Sequence, residues 1–400
     1  MNEAGVYLSF ACVGARMSEQ LVVRMATRHI GLDVLGGEMA YISHAHTDHC
    51  AALGGPLPIF CSDVTADILG LKSAPEEKKV EALITAPAPE MPPSDSIKKT
   101  KRKRKTASVS PSASSASSFR PRRFSYSKRA ANGSLRIPIP DGVELHSAGH
   151  MLGSTQILAD SEKFGRVAYT GDFKMRDGLT VKGAPVLSCD TLFAECTYGD
   201  PKVNFPHPND VYADMERWAR QNKSAIQLWG GYSTGKAQEL VKFLNEYLDE
   251  TPIVGGRAAE VCEAYVRAGV KLKWLDPDSH EGQEAMRGPF MSVMAPHHLH
   301  PMLTGRLAAV HRRKVLSVFA TGWALVRQLP VDAAFPLSDH ADFNELLDYA
   351  KASGAKRVIL AHGDNERTAK ALRAVGVEAQ SIESLDPQQT VLKIEEGKGE

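Results

Sequence analysis

No run of eighteen apolar residues occurs in the 400-residue chain, so nothing in it reads as a membrane-spanning helix. Met1 to Gly14 has neither the basic start nor the small-residue cleavage site of a secretory signal, which points to a cytoplasmic location. Cysteine is scattered: Cys12, Cys50, Cys61, Cys189, Cys196 and Cys262 form no C-x-x-C pair. That gives no sign of a zinc knuckle or a disulfide framework, and reduced, mostly buried thiols are expected. One hydroxyl is also missing. Gly230 to Lys236 imitates a nucleotide-binding phosphate loop, but Ala237 stands where a Ser or Thr would hold magnesium, which argues against an NTPase. The loop still aims backbone amides at whatever lies above the helix it opens, so Gly235 and Lys236 are candidate grips for a substrate phosphate.

What is present is a soluble, core-forming composition, 43% hydrophobic over a length suited to two or three domains. The whole-chain charge of +1 conceals an imbalance. Residues 91–135 carry twelve Lys or Arg against Asp95 alone, a local +11 that leaves the remainder at −10. From 87 to 133 the pattern dissolves into Pro, Ser, Ala, Lys and Arg, including Lys98 to Lys105, and such a stretch cannot bury enough apolar surface to order itself. It reads as a disordered insertion. Its role is either an electrostatic tether for nucleic acid, with nuclear import if the host has a nucleus, or a solvated spacer.

On both sides of the insertion, short apolar runs alternate with helical patterns, the signature of a layered α/β protein. Val6 to Phe10 and Leu21 to Arg24 read as an opening hairpin, and His29 to Asp33 as a strand ending in a carboxylate. Asp33 is either a buttress of the loop that follows or a turn former before Gly36-Gly37. Further strands are expected at Gln156–Ala159, Arg166–Thr170, Leu192–Glu195 and Arg357–Leu360, with a helix over Phe343–Ala352. Residues 209–330 read as a separate α/β unit, with helices over Val211–Gln221 and Ala237–Glu250. Its strands are expected at Ala225–Trp229, Pro252–Val254, Phe290–Met294 and Val315–Ala320.

The chemistry concentrates in Ser43-His44-Ala45-His46-Thr47-Asp48-His49-Cys50. On an extended backbone positions i and i+2 point the same way, so His44 and His46 can grip one ion while Asp48 and His49 face a second. Imidazole and carboxylate with little thiolate suit zinc or a comparable divalent ion. His150, Asp172, His340 and His362 each stand near the end of an expected strand or on the loop after it, where layered α/β proteins place their chemistry. His297, His298 and His300 have no matched carboxylate and read as surface or inter-domain contacts. Arg312, Arg313 and Lys314 either line a cleft or are solvated.

The order H-x-H-x-D-H, then Gly149-His150, then Thr170-Gly171-Asp172 resembles the metallo-β-lactamase superfamily. Glu195, the run Ser338-Asp339-His340-Ala341-Asp342 and Ala361-His362-Gly363 resemble the three further motifs of its β-CASP nuclease branch, whose members include archaeal mRNA 3′-end processing factors and ligase-associated DNA exonucleases. The resemblance implies an αββα sandwich formed by 1–86, 134–208 and 331–400, with the β-CASP domain inserted at 209–330. It implies His44, His46 and His150 on a first metal, Asp48, His49 and His362 on a second, and Asp172 between them. The metals would be two zinc ions, with manganese as the alternative. His340 would be a general acid oriented by Glu195, Asp48 would join the catalytic set, and Ser338 would lie beside the substrate. The implied activity is phosphodiester cleavage of nucleic acid, RNA first on the strength of His362 and DNA as the alternative. A homodimer is left open.

If the basic stretch is a tether, deleting residues 91–133 weakens nucleic-acid binding and flattens its salt dependence in a filter-binding titration. Unchanged affinity at both low and high salt would show it to be a spacer.

Overall fold

The computed structural model describes residues 7–12, 17–25, 28–34, 37–53, 55, 57–71 and 136–385, with side chains from His29 onward. The basic insertion at 87–133 lies outside the described residues. Among the described residues no helix is long and apolar enough to cross a membrane.

The first sheet runs β1 (Tyr7–Cys12), β2 (Met17–Met25), β3 (Arg28–Leu32), β4 (Met39–Tyr41) and β5 (Ile59–Phe60), in that order. β1 to β3 pair antiparallel, as the hairpin reading expects, and β3 to β5 pair parallel. Helix α1 (Asp63–Leu69) follows, opened by Ser62 accepting from the Thr65 amide and closed by Gly70 in the left-handed conformation. Next come β6 (Val143–Ser147), β7 (Thr155–Ser161), β8 (Gly165–Tyr169) and β9 (Thr191–Cys196).

The chain then leaves for a unit with its own sheet. It contains α2 (Pro208–Gln221), β10 (Ile226–Gly230), α3 (Lys236–Tyr247), β11 (Ile253–Val254), α4 (Gly256–Arg267), α5 (His280–Ala285), β12 (Met291–Met294), α6 (Pro301–His311), β13 (Val315–Ala320) and β14 (Ala333–Phe335). This sheet is parallel throughout, in the order β11-β12-β10-β13-β14, with β10 central. Finally α7 (Phe343–Ala352), β15 (Arg357–Gly363), α8 (Asn365–Ala374) and β16 (Ala379–Ser381) return to the six-stranded sheet β16-β15-β9-β8-β7-β6.

Side-chain alternation shows how the layers stack. Met39 and Tyr41 of β4 face inward with Ile30, Leu32 and Phe60, against Ile157, Val167, Tyr169, Phe193 and Ile359 of the six-stranded sheet. The alternate residues Leu158, Ala168, Leu192, Leu360 face outward, onto Leu346 and Tyr349 of α7 and Leu372 of α8. On the other side Ala40 and Ile42 pack on Ala66, Ile68 and Leu69, and this cluster runs on without a break into Trp229, Leu240, Phe243, Val261 and Tyr265 of the inserted unit. The result is the αββα sandwich, with the inserted sheet fused to its outer flank through α1 and α4. Arg267 of α4 reaches Asp67 of α1 with both guanidinium ends, at 3.0 and 3.1 Å.

Helix α7 positions the Ser338 to Ala341 segment. Its N-cap Asp342 closes a capping box with Glu345, and its Oδ2 also accepts from the Phe205 amide at 2.9 Å and from Arg176 at 3.3 Å. Asp342 is buried, so Asp342→Ala removes a cap and leaves Arg176 without that partner. We expect a loss of about 3 kcal/mol in chemical denaturation.

Candidate metal centre

The loops after β4 and β8, the bulge in β15 and the β6–β7 turn meet at one edge of the sandwich, and one buried carboxylate organises them. Asp33 follows β3 with φ at +57°, a conformation Asp tolerates better than most residues. Its Oδ1 accepts from the Ser43 amide at 2.6 Å, and its Oδ2 accepts from Ser43 Oγ at 2.6 Å, His49 Nδ1 at 2.9 Å and Tyr169 OH at 2.9 Å. Of the two readings of Asp33, the buttress is the one observed.

These bonds fix the imidazole tautomers. The Ser43 hydroxyl proton goes to Asp33, so at 2.9 Å it is His44 Nδ1–H that donates to Ser43 Oγ and leaves His44 Nε2 bare. His46 Nε2 donates to the Thr234 carbonyl at 2.9 Å, and His150 Nδ1 donates to the Asp339 carbonyl at 2.9 Å. The inner nitrogens of all three rings are therefore lone pairs. They nonetheless lie together: His46 Nδ1 is 3.0 Å from His44 Nε2 and 3.1 Å from His150 Nε2. Burial, reinforced by the neighbouring imidazoles, pushes His44 and His150 well below the ordinary histidine range, so neither ring relieves the crowding by taking a proton.

Asp172 Oδ2 stands 3.5 Å from His44 Nε2 and 3.8 Å from His150 Nε2. Converging lone pairs beside a carboxylate fit a cation, and a tetrahedral zinc ion with Zn–N bonds of 2.0–2.1 Å spaces its nitrogens about 3.3 Å apart. The donor set His44, His46, His150 and Asp172 thus fits a divalent transition ion.

A second group adjoins the first. His49 Nε2 lies 3.4 Å from the same Asp172 oxygen, and its ring centroid is 5.1 Å from that of His362. Burial opposes charge on His49, but Asp172 and Asp33 on either side outweigh it and raise its pKa well above the ordinary value. For Asp172 burial is likewise overcome, chiefly by His49 and His340, and its carboxyl is held well below the usual range. His362 sits in a bulge of β15 with φ at +58°. Asp48 stays at the rim, 82% exposed, with Oδ2 3.9 Å from His49 Nε2.

Beside these groups His340 Nδ1 lies 2.8 and 3.0 Å from the two oxygens of Glu195, a buried carboxylate that also accepts from the Phe173 and Thr197 amides. Burial works against charge on His340, but Glu195 and then Asp172 prevail and lift its pKa to about 9. Its ring is 4.7 Å from that of His150.

All of this forms one wall of a cleft of about 730 Å³. The facing wall is built by the carboxyl ends of the parallel strands of the inserted unit, the usual binding edge of such a sheet. Tyr232, Ser233 and Thr234 follow β10, His297 follows β12, and Thr321 and Trp323 follow β13.

Two expectations need correction. Lys236 is no free phosphate grip, because its buried Nζ lies 2.6 Å from Glu239 Oε2 and 2.6 Å from Asp339 Oδ1, which neutralise it. Gly235, with φ at +91°, turns the chain over Met151 and into α3 rather than offering an open amide, since its N–H donates to Gln238 Oε1 at 2.8 Å. Ser338 lines the cleft while its Oγ accepts from the His340 amide. Of the remaining histidines, His297 lines the cleft and His300 caps α6. Arg312, Arg313 and Lys314 are exposed away from the cleft. Reading the sequence missed Asp339 and Thr234, whose roles as backbone acceptors leave no trace in side-chain type.

A family model described as "Zn-dependent metallo-hydrolase RNA specificity domain" matches residues 331–382, which hold His340 and His362. Over 248 residues, 60% of this chain and 23% of the other, the sequence is 31% identical to a protein named "Probable DNA ligase" from Opitutus terrae. It is also 33% identical over 127 residues, 30% of this chain and 29% of the other, to "Probable RNase MJ4" from Methanocaldococcus jannaschii. Together these similarities support a metallo-β-lactamase β-CASP nuclease family for the chain. A third relative, "Uncharacterized protein in lig 3'region" from Acidianus ambivalens, is 29% identical over 140 residues, 34% of this chain and 96% of its own. The chain spans less than a third of the ligase and of the RNase.

Replacing Asp33 tests the buttress. In Asp33→Ala the Ser43 loop and the His49 ring lose their acceptor, and zinc affinity, measured by competition with a chromophoric chelator, is expected to fall about 10- to 100-fold.

Proposed function

We propose that the chain is a metal-dependent nuclease. The observation that carries the reading is the juxtaposition at one edge of bare imidazole nitrogens around Asp172 with a separate His340–Glu195 pair that needs no metal to explain it. In this reading His44, His46 and His150 hold one zinc or manganese ion, Asp48, His49 and His362 hold a second, and Asp172 lies between them. When bound, such ions make water acidic enough to attack near neutral pH and offset the charge of the phosphate.

The chain's own groups do the rest. Glu195 accepts the Nδ1 proton of His340 and keeps the ring charged, so His340 can deliver its Nε2 proton to the departing ribose oxygen. The Asp339 carbonyl holds His150 in the tautomer that faces inward, and Asp33 fixes the His49 ring with its Nε2 toward Asp172. Half-exposed Tyr232 and the neighbouring Trp323 give the opposite wall flat apolar faces, on which an unstacked base of a single strand can lie.

RNA is the first substrate reading, supported by His362 beside His49 and by the RNA specificity description of the matching family model. DNA is the second, supported by the match over 60% of this chain to a protein named "Probable DNA ligase". End-labelled single-stranded RNA and DNA of one sequence, run on one gel, decide between them and show the polarity of cutting. His46→Ala and Asp172→Ala should abolish cleavage and lower bound metal. His340→Ala should keep its metal while kcat drops about 10²- to 10⁴-fold, and metal loss in that variant would mean that acid and ligand are misassigned.

A further inference from the structure

The glycine-rich loop that imitates a phosphate site has another occupation. Its Thr234 carbonyl takes the Nε2 proton of His46 at 2.9 Å, and so directs His46 Nδ1 at the cation position. Two residues on, Lys236 holds Asp339 Oδ1 at 2.6 Å, and the backbone carbonyl of that same Asp339 takes the Nδ1 proton of His150 at 2.9 Å. Both bonds cross from the inserted unit to the sandwich. The crossing is buried and balanced in charge. Lys174 of the sandwich lies 3.8 Å from Asp339 and 4.0 Å from Glu239 of the inserted unit, and Tyr212 donates to Glu239 at 2.6 Å.

We propose that the Gly230–Lys236 loop is the outer shell of the first metal site, so that metal affinity and closure of the inserted unit on the sandwich are one coupled equilibrium. His46 keeps its inward tautomer only while the loop is seated, and the Asp339 segment that orients His150 is held by Lys236 of the same loop. By linkage, an ion that pulls those imidazoles inward must tighten the loop to the same degree that the loop tightens the ion. Lys236 is then a positioning residue that acts through Asp339 and touches neither metal nor substrate. The inference rests on the metal reading above but not on nuclease activity, because every readout below is binding or exchange.

The test uses the full chain and zinc alone as the probe. The variant Lys236→Met with Asp339→Asn leaves Lys174 against Glu239 and so keeps the cluster neutral. Lys236→Arg is the conservative rescue, and Arg267→Ala removes an exposed contact between the same two units that is not wired to the site. Zinc affinity by chelator competition should fall about 10- to 100-fold in the double variant, stay within about threefold of wild type in the other two, and do so with zinc-free melting temperatures that differ by only a few degrees. Zinc should also slow amide hydrogen exchange across residues 230–236 in the wild-type protein. Affinity in the double variant within threefold of wild type overturns the coupling, as does an equal loss in Arg267→Ala. If the double variant does not fold, exchange in the wild type decides: no slowing by zinc overturns the proposal. A wild-type chain that takes up no zinc at all would overturn the metal reading itself, an outcome distinct from uptake without coupling.

Discussion

Imidazole nitrogens with bare lone pairs do not settle 3 Å apart without something positive between them, and the architecture around this cleft exists to make three of them do so. Each outer ring nitrogen is committed to an acceptor: Ser43 backed by Asp33 for His44, the Thr234 carbonyl for His46, the Asp339 carbonyl for His150. Burial keeps His44 and His150 from escaping by protonation. The sandwich core beneath, with Tyr41, Tyr169 and Phe193 fully buried between the sheets, supplies the rigidity that such crowding demands. Tyr169 serves both purposes, packing in that core while its hydroxyl donates to Asp33.

The second domain turns an exposed edge into a cleft. Its parallel strands end where the sandwich strands end, so two sets of strand-end loops face each other across the ions' position. The facing wall sets Tyr232, Trp323 and hydroxyl side chains opposite the imidazoles.

Much of this was legible in residue order. Strand β13 and helix α7 begin and end where periodicity places them, and His46, Asp48, His49, His150, Asp172 and His362 line the cleft. What escaped were relations that side-chain type cannot encode. Lys236 reads as a free cation after a glycine-rich turn, and only the fold brings Asp339 across 103 positions of sequence to neutralise it. Asp33 was ambiguous because a turn former and a buttress have the same composition. Asp48 reads as a ligand by spacing alone, and the short 3₁₀ turn at Thr47–His49 sets it at the exposed rim of the cleft while His49 turns in. Backbone carbonyls such as that of Thr234 are identical in every sequence.

Among the described residues, non-glycine residues with positive φ are Asp33, Asp249, Arg312 and His362, and two of these belong to the metal edge. A backbone in that region costs on the order of 1 kcal/mol that glycine would not incur. At position 362 the strain coincides with the bulge that swings an imidazole out of the β15 ladder and toward His49. Replacing it with glycine should relax the strand while emptying the site of a donor, so stability and activity pull in opposite directions at one residue. A chain shaped only to stay folded has no reason to keep histidine there.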